Sequence, residues 1–150
     1  MKVPTQSNHR ITNGTLPGHE VELGKTHPLE LDCGVKLNSF TIAYQTYGRL
    51  NKGKSNAVLV CHALTGDQFA AEKHPITSKS GWWEVMIGPT RVIDTNRFFV
   101  ICTNILGGCM GTTGPASINK TTGEVYGLDF PVITIGDMVR AQRRLINHLG

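Results

Sequence analysis

The 150-residue sequence contains no G-x-S-x-G pentapeptide and no C-x-x-C pair, and its Gly-rich stretch 105–131 contains no G-K-[ST]. The first absence leaves out a serine presented on a strand-to-helix elbow. The second leaves out the common zinc and dithiol spacings, and the third a phosphate-cradling role for that stretch. No apolar run approaches the ~20 residues that a membrane span needs. The opening residues MKVPTQSNHRITNG carry one lysine and no apolar segment, so no secretory signal is read there and the cytoplasm is the expected location. Charged residues are sparse, at 17%, and form no block of either sign. The net charge is +4, but its carriers are scattered, the densest group being Arg140, Arg143 and Arg144. A scattered excess describes a solvated surface rather than a phosphate-tracking stripe, so no nucleic-acid partner is expected. It would also suit an anionic cofactor such as a CoA ester.

Cysteine is scarce, at positions 33, 61, 102 and 109. Cys61 and Cys102 lie in apolar, strand-like runs, where a thiol behaves as a small hydrophobe, so both are expected to be buried and reduced. The set Cys61, His62, Cys102 and Cys109 follows no zinc-ligand spacing, and no metal is expected.

What remains is enough for one domain. Hydrophobic residues make up 39% of the chain, and 150 residues can bury a core. Residues 1–28, punctuated by Gly14, Pro17, Gly18, Gly24 and Pro28, read as a polar, loosely packed leader, and 29–150 as the folded unit. Residues 29–50 read as a hairpin, with Leu29, Leu31 and Cys33 alternating with polar residues. The turn falls at Gly34 or Asn38–Ser39, and Phe40 to Tyr47 is rich in strand formers. AVLVCHA (57–63) is a continuous apolar run, as for a strand covered on both faces, and RFFVICTN (97–104) is a second. GWWEVMIG (81–88) reads as a short helical turn burying one or both tryptophans. The Gly-rich stretch 105–131 has little regular pattern, and loops of that length are usually functional or disordered. TIGDMVRAQRRLINHLG (134–150) is an amphipathic helix with Ile135, Met138, Val139, Gln142, Leu145, Ile146 and Leu149 on one face. Thr134 can cap it, Asp137 favours its dipole, and Gly150 suits its C-terminus. Two apolar strands with connecting segments, then a helix, indicate an α/β fold with a parallel sheet.

Ligands in such sheets gather at the carboxyl ends of the strands. Those ends here are HALTGD and TNILGGCMG. After a buried strand, the tight turn around Gly66 can leave the N–H of Leu64 or Thr65 unpaired, and one such donor aimed at an oxyanion is worth roughly 3–4 kcal/mol of barrier. The plainer alternative is a strand–helix loop with Asp67 capping a helix. His62, at the strand end, reads as an orienting or satisfied core residue, and His27, His74 and His148 as surface residues without partners. GGCMG (107–111) presents Cys109 after a strand, but an elbow needs a helix directly after its nucleophile, and Gly114 and Pro115 break one. A Gly-rich loop that shapes a pocket is the preferred reading.

The blocks HALTGD, GWWEVMIGP, DTNRFFVICTNILGGCMGTTGPASIN and YGLDFPVITIGDMVRAQRRLINHLG, in this order, resemble the homoserine O-acetyltransferase family of α/β-hydrolase-fold enzymes. The resemblance runs from about residue 29 to Gly150. It implies the amino-terminal part of that fold (strands 1–4 and the first helices of a mostly parallel sheet), and an incomplete one. It further implies ping-pong acyl transfer by a Ser-Asp-His triad, from acetyl-CoA or another acyl-CoA to the hydroxyl of homoserine, within methionine biosynthesis. The acyl-CoA is a co-substrate, no bound cofactor is implied, and the full-length enzyme would be a homodimer. By the same resemblance the second oxyanion-hole donor, from the turn after strand 3, maps onto the backbone N–H of Leu64. The triad order in this fold is serine, acid, histidine, and the serine follows a strand after the helix that ends here. It would therefore lie roughly 15–25 residues beyond Gly150. The chain alone is thus expected to be inactive and, with its strand 3 unpaired on one side, poorly soluble. A serine O-acyltransferase or a thiol hydrolase using Cys109 on the same fold, or a non-catalytic binding remnant, are the other readings.

Overall fold

The computed structural model describes residues 18–150; the part of the expected leader over 1–17 lies outside the described residues. In chain order the elements are β1 (His19–Leu23), β2 (Leu29–Glu30), β3 (Lys36–Leu37), β4 (Phe40–Tyr47) and β5 (Ala57–Val60). There follow β6 (Ile87–Gly88), β7 (Ile93–Asp94), β8 (Phe99–Thr103), a 3-10 turn at Gly127–Asp129 and the helix α1 (Ile135–Leu149).

Four strands make the main sheet in the order β1-β4-β8-β5. β4 pairs antiparallel with both β1 and β8, while β5 lies parallel to β8, with Leu59 opposite Ile101 and Val60 opposite Cys102. Strand side chains alternate between faces, and the central β8 splits its residues accordingly. Ile101 joins Leu29, Leu31, Leu37, Phe40, Ile42, Leu106, Ala141 and Leu145 on the helix side. Val100 and Cys102 join Tyr47, Val60, Ala70, Ala71 and Ile87 on the other. Each large aliphatic side chain buried this way stabilises the fold by roughly 1.5–3 kcal/mol. Gly48 lets the chain leave β4: at φ +80°, a Cβ there would sit 2.2 Å from the Phe98 carbonyl oxygen, a separation only glycine allows.

Several expectations are corrected. The segment read as a leader contributes β1, which joins the sheet edge along Phe40–Tyr44. The hairpin read over 29–50 is smaller: β2 and β3 pair through the turn at Gly34, whereas β4 turns away to pair with β1 and β8. β4 has two long neighbours to satisfy its main chain, and the two-residue β3 offers neither length nor register. The run 57–63 is a strand only to Val60, and it is an edge: Ala57 is exposed and Leu59 is 37% exposed. Cys61, expected to be buried, is exposed for the same reason; it lies past the last paired residue of an edge strand. Cys102, on the central strand, is buried, and burial pushes its thiol up to about 12. Residues 81–88 form overlapping turns, but neither tryptophan is buried. Trp82 and Trp83 stack with ring centroids 5.7 Å apart at the surface, and the Trp82 Nε1–H donates to the Asp67 carbonyl at 2.9 Å.

The helix is where expected, but its buried face is rotated. Asp137, Ala141, Gln142 and Leu145 are buried, while Ile135 and Val139 are 74% and 56% exposed. A polar anchor at the first turn causes the rotation. Thr134 accepts from the Asp137 N–H, and Asp137 accepts from the Thr134 N–H, forming a capping box. The Asp137 carboxylate also accepts from the Asp32 N–H at 3.0 Å and pairs with Arg140, which reaches Asp32 at 2.5 Å as well. Further along, the Gln142 amide donates to the Thr103 hydroxyl at 2.7 Å, tying helix to sheet. Among the described residues no helix is long and apolar enough to cross a membrane.

Candidate functional site

Because β5 and β8 are parallel and in register, their carboxyl ends emerge side by side. After β5 the chain makes a β-turn over Ala63–Gly66, closed by the Gly66 N–H donating to the Ala63 carbonyl at 2.8 Å. Neither central residue, Leu64 or Thr65, has positive φ, which is the backbone of a type I rather than a type II turn. In such a turn the first carbonyl points inward, so the N–H of the next residue, on the same rigid peptide plane, points outward. That N–H belongs to Leu64. It donates to no acceptor among the described residues, and the Leu64 side chain is 92% exposed. Thus Leu64 lies in a turn at the carboxyl edge, outside any helix.

No helix follows for Asp67 to cap. Instead its carboxylate accepts from the Phe69 N–H at 2.8 Å and meets His74 Nε2 at 3.0 Å. His74, read as a partnerless surface residue, is therefore largely buried, its ring tilted against Phe69. His74 Nδ1 accepts from the Ile76 and Thr77 N–H groups. With Nδ1 so occupied the ring acts as a brace for the loop rather than a free base. His27 and His148 are exposed, as expected.

His62 bridges the two strand ends. Its Nδ1 is 2.7 Å from the Ala63 carbonyl oxygen, and its Nε2 accepts from the Ile105 N–H at 3.4 Å. Beyond β8 the Gly-rich loop is stitched onto the half of β4 that β8 does not cover. The Asn104 N–H donates to Ala43, the Thr113 N–H donates to Thr41, and the Thr112 and Thr113 hydroxyls accept from the Ala43 and Thr41 N–H groups. Asn104 then holds the Met110 N–H, and buried Gln68 donates to the Met110 carbonyl at 3.0 Å, joining the two loops. Sequence reasoning missed Asn104, Thr112, Thr113 and Gln68. No periodicity announces a polar side chain that substitutes for a strand. Cys109 sits exposed on this loop without a hydrogen-bond partner among the described residues, and no helix follows it. Among the described residues no three metal-ligating side chains cluster.

A β1-β4-β8-β5 sheet with a sharp turn at the carboxyl end of β5 and a helix after β8 is the amino-terminal part of an α/β-hydrolase fold. The comparisons agree on that fold and narrow it. No family model matches the sequence. A homoserine O-acetyltransferase from Mesorhizobium japonicum is 65% identical over 130 residues, covering 87% of this chain and 33% of the relative. The crystal structure of homoserine O-acetyltransferase from Bacillus anthracis superposes with a TM-score of 0.79 at 39% identity, covering 88% of this chain and 36% of that one. The crystal structure of esterase E22 superposes equally, with a TM-score of 0.79 at 37% identity over 88% of this chain and 37% of its own. The chain belongs to the homoserine O-acetyltransferase family, as its amino-terminal portion. It spans about a third of the length of the curated relatives it matches.

Proposed function

We propose that this chain supplies the amino-terminal part of an acyl-transfer site, with the Leu64 N–H as one of two donors to a tetrahedral oxyanion. The observation that carries this reading is the outward Leu64 N–H at the carboxyl edge of β5, without an acceptor among the described residues. Two donors held there before reaction stabilise charge that develops only in the transition state, so they lower the barrier without tightening ground-state binding. The acyl donor is acetyl-CoA and the acceptor the hydroxyl of homoserine, in keeping with the 65% identical relative. The nucleophile, acid and triad histidine lie outside these 150 residues, and the complete enzyme is a cytoplasmic homodimer of methionine biosynthesis. The chain by itself has no turnover.

The likeness to esterase E22 favours one second reading, transfer of the acyl group to water. Cys109 as the nucleophile of a thiol hydrolase is not favoured, because among the described residues it has no hydrogen-bonded base and no helix begins after it until Gly127. The test joins this segment to the remaining two-thirds of the Mesorhizobium japonicum relative and supplies acetyl-CoA with homoserine. Formation of O-acetylhomoserine is expected. Release of acetate alone, unchanged by homoserine, would establish the esterase reading. Turnover by the unjoined 150-residue chain would overturn the first.

A further inference from the structure

The Ala63 carbonyl oxygen receives two hydrogen bonds, from the Gly66 N–H at 2.8 Å and from His62 Nδ1 at 2.7 Å. A carbonyl can only accept, so Nδ1 carries the ring hydrogen. Nε2 is then the acceptor that the Ile105 N–H meets at 3.4 Å. The ring thus spans from the turn after β5 to the loop after β8 in one tautomer. The peptide between Ala63 and Leu64 is planar, so whatever holds its carbonyl also sets the direction of its N–H. The turn also closes tightly on residue 62: a Cβ on Gly66 would come 2.9 Å from the His62 Cβ, closer than such atoms approach.

We infer that His62 is a positioning residue, which through its Nδ1–H clamps the Ala63 carbonyl and so holds the Leu64 N–H pointing out of the turn. This rests on the proposed acyl-transfer role of Leu64. A one-bond turn can rock about its ends, and a second bond on the same oxygen removes that freedom. Pre-orientation matters because an oxyanion donor is worth most when it need not reorganise during the reaction. His62 itself touches no reacting atom and moves no proton.

The experiment uses isosteres in the joined protein described above. The Nδ2 of asparagine overlies the histidine Nδ1 and can donate to Ala63. The side-chain amide of glutamine overlies Nε2 and leaves Ala63 to Gly66 alone. His62→Ala and His62→Gln are expected to lower kcat about 10- to 100-fold with KM little changed, since the donor is loosened rather than removed. His62→Asn is expected to stay within about threefold of the parent. Equal loss in His62→Asn and His62→Ala, or rescue by glutamine rather than asparagine, would overturn the assignment. So would a rise in KM at constant kcat. The ring is read independently by selective 15N-histidine NMR on the same folded protein, where the Nδ1–H tautomer is expected and the Nε2–H tautomer refutes the clamp. If the parent transfers no acetyl group, the proposed function fails. The tautomer, together with a shift of the Leu64 amide resonance in His62→Ala, still decides the role of His62.

Discussion

Two corners of this molecule treat main-chain N–H groups in opposite ways. At the start of α1 the donors are used up: the N–H groups of Asp32 and Thr134 both end on the Asp137 carboxylate, which is fully buried beside Arg140. At the turn after β5 the geometry holds a donor open: the Ala63 carbonyl is doubly bound while the Leu64 N–H has no partner among the described residues. The first arrangement converts polar groups into stability, and the second leaves open the donor that we propose meets an oxyanion. A donor without a protein partner is tolerable at Leu64 because the turn is exposed and water can satisfy it.

The sharpest way to break the comparison is Leu64→Pro. Proline suits the second position of a type I turn and has no N–H, so the donor goes while the turn stays. In the joined protein kcat is expected to fall 10²- to 10³-fold, about 3–4 kcal/mol of barrier, with an unchanged melting temperature. An active variant would remove Leu64 from the site.

The reverse signature is expected at the other corner. Asp137→Ala leaves the Asp32 and Thr134 N–H groups without their acceptor and strips the capping box, so it should cost about 2–3 kcal/mol in urea unfolding of the joined protein. Its specific activity per folded molecule should hold. The same carboxylate sets a pH dependence. Burial pushes Asp137 up, but the Thr134 and Asp32 N–H groups and Arg140 outweigh it, so the carboxyl titrates below its ordinary value. A group depressed on folding lends stability that is complete above the unfolded value near 3.9 and is lost as pH falls through the folded one. Urea midpoints should therefore drop below about pH 4, and Asp137→Asn should flatten that drop.

The smallest expected effect concerns the uncovered side of β5. Leu59→Lys places a charge on the exposed edge of the unjoined chain. A larger soluble fraction after centrifugation is expected, with a stability change within about 0.5 kcal/mol. No gain in solubility would mean that aggregation starts elsewhere.

Much of the architecture was legible. Apolar runs located β5 and β8, and Thr134, Asp137 and Gly150 marked both ends of α1 within a residue. Composition misled where neighbours decide. Cys61 and Cys102 sit in similar local sequence, yet one is exposed and one buried because β5 is an edge and β8 is central. His74 had no visible partner, because Asp67 reaches it only after the loop folds back. The candidate site was legible through the HALTGD turn, whereas its supports at Gln68, Asn104, Thr112 and Thr113 were not.

The amino-acid order alone determined which segments extend, where the helix starts and stops, and that a tight turn follows the apolar strand at Ala57. Those outcomes depend on side-chain period, capping and turn preferences that act within a few residues. Tertiary structure decided the rest: which strand is central, which face of α1 is buried, and which N–H remains open. Burial and hydrogen-bond satisfaction are settled by residues distant in sequence, as where Thr113 completes Thr41 across 72 positions.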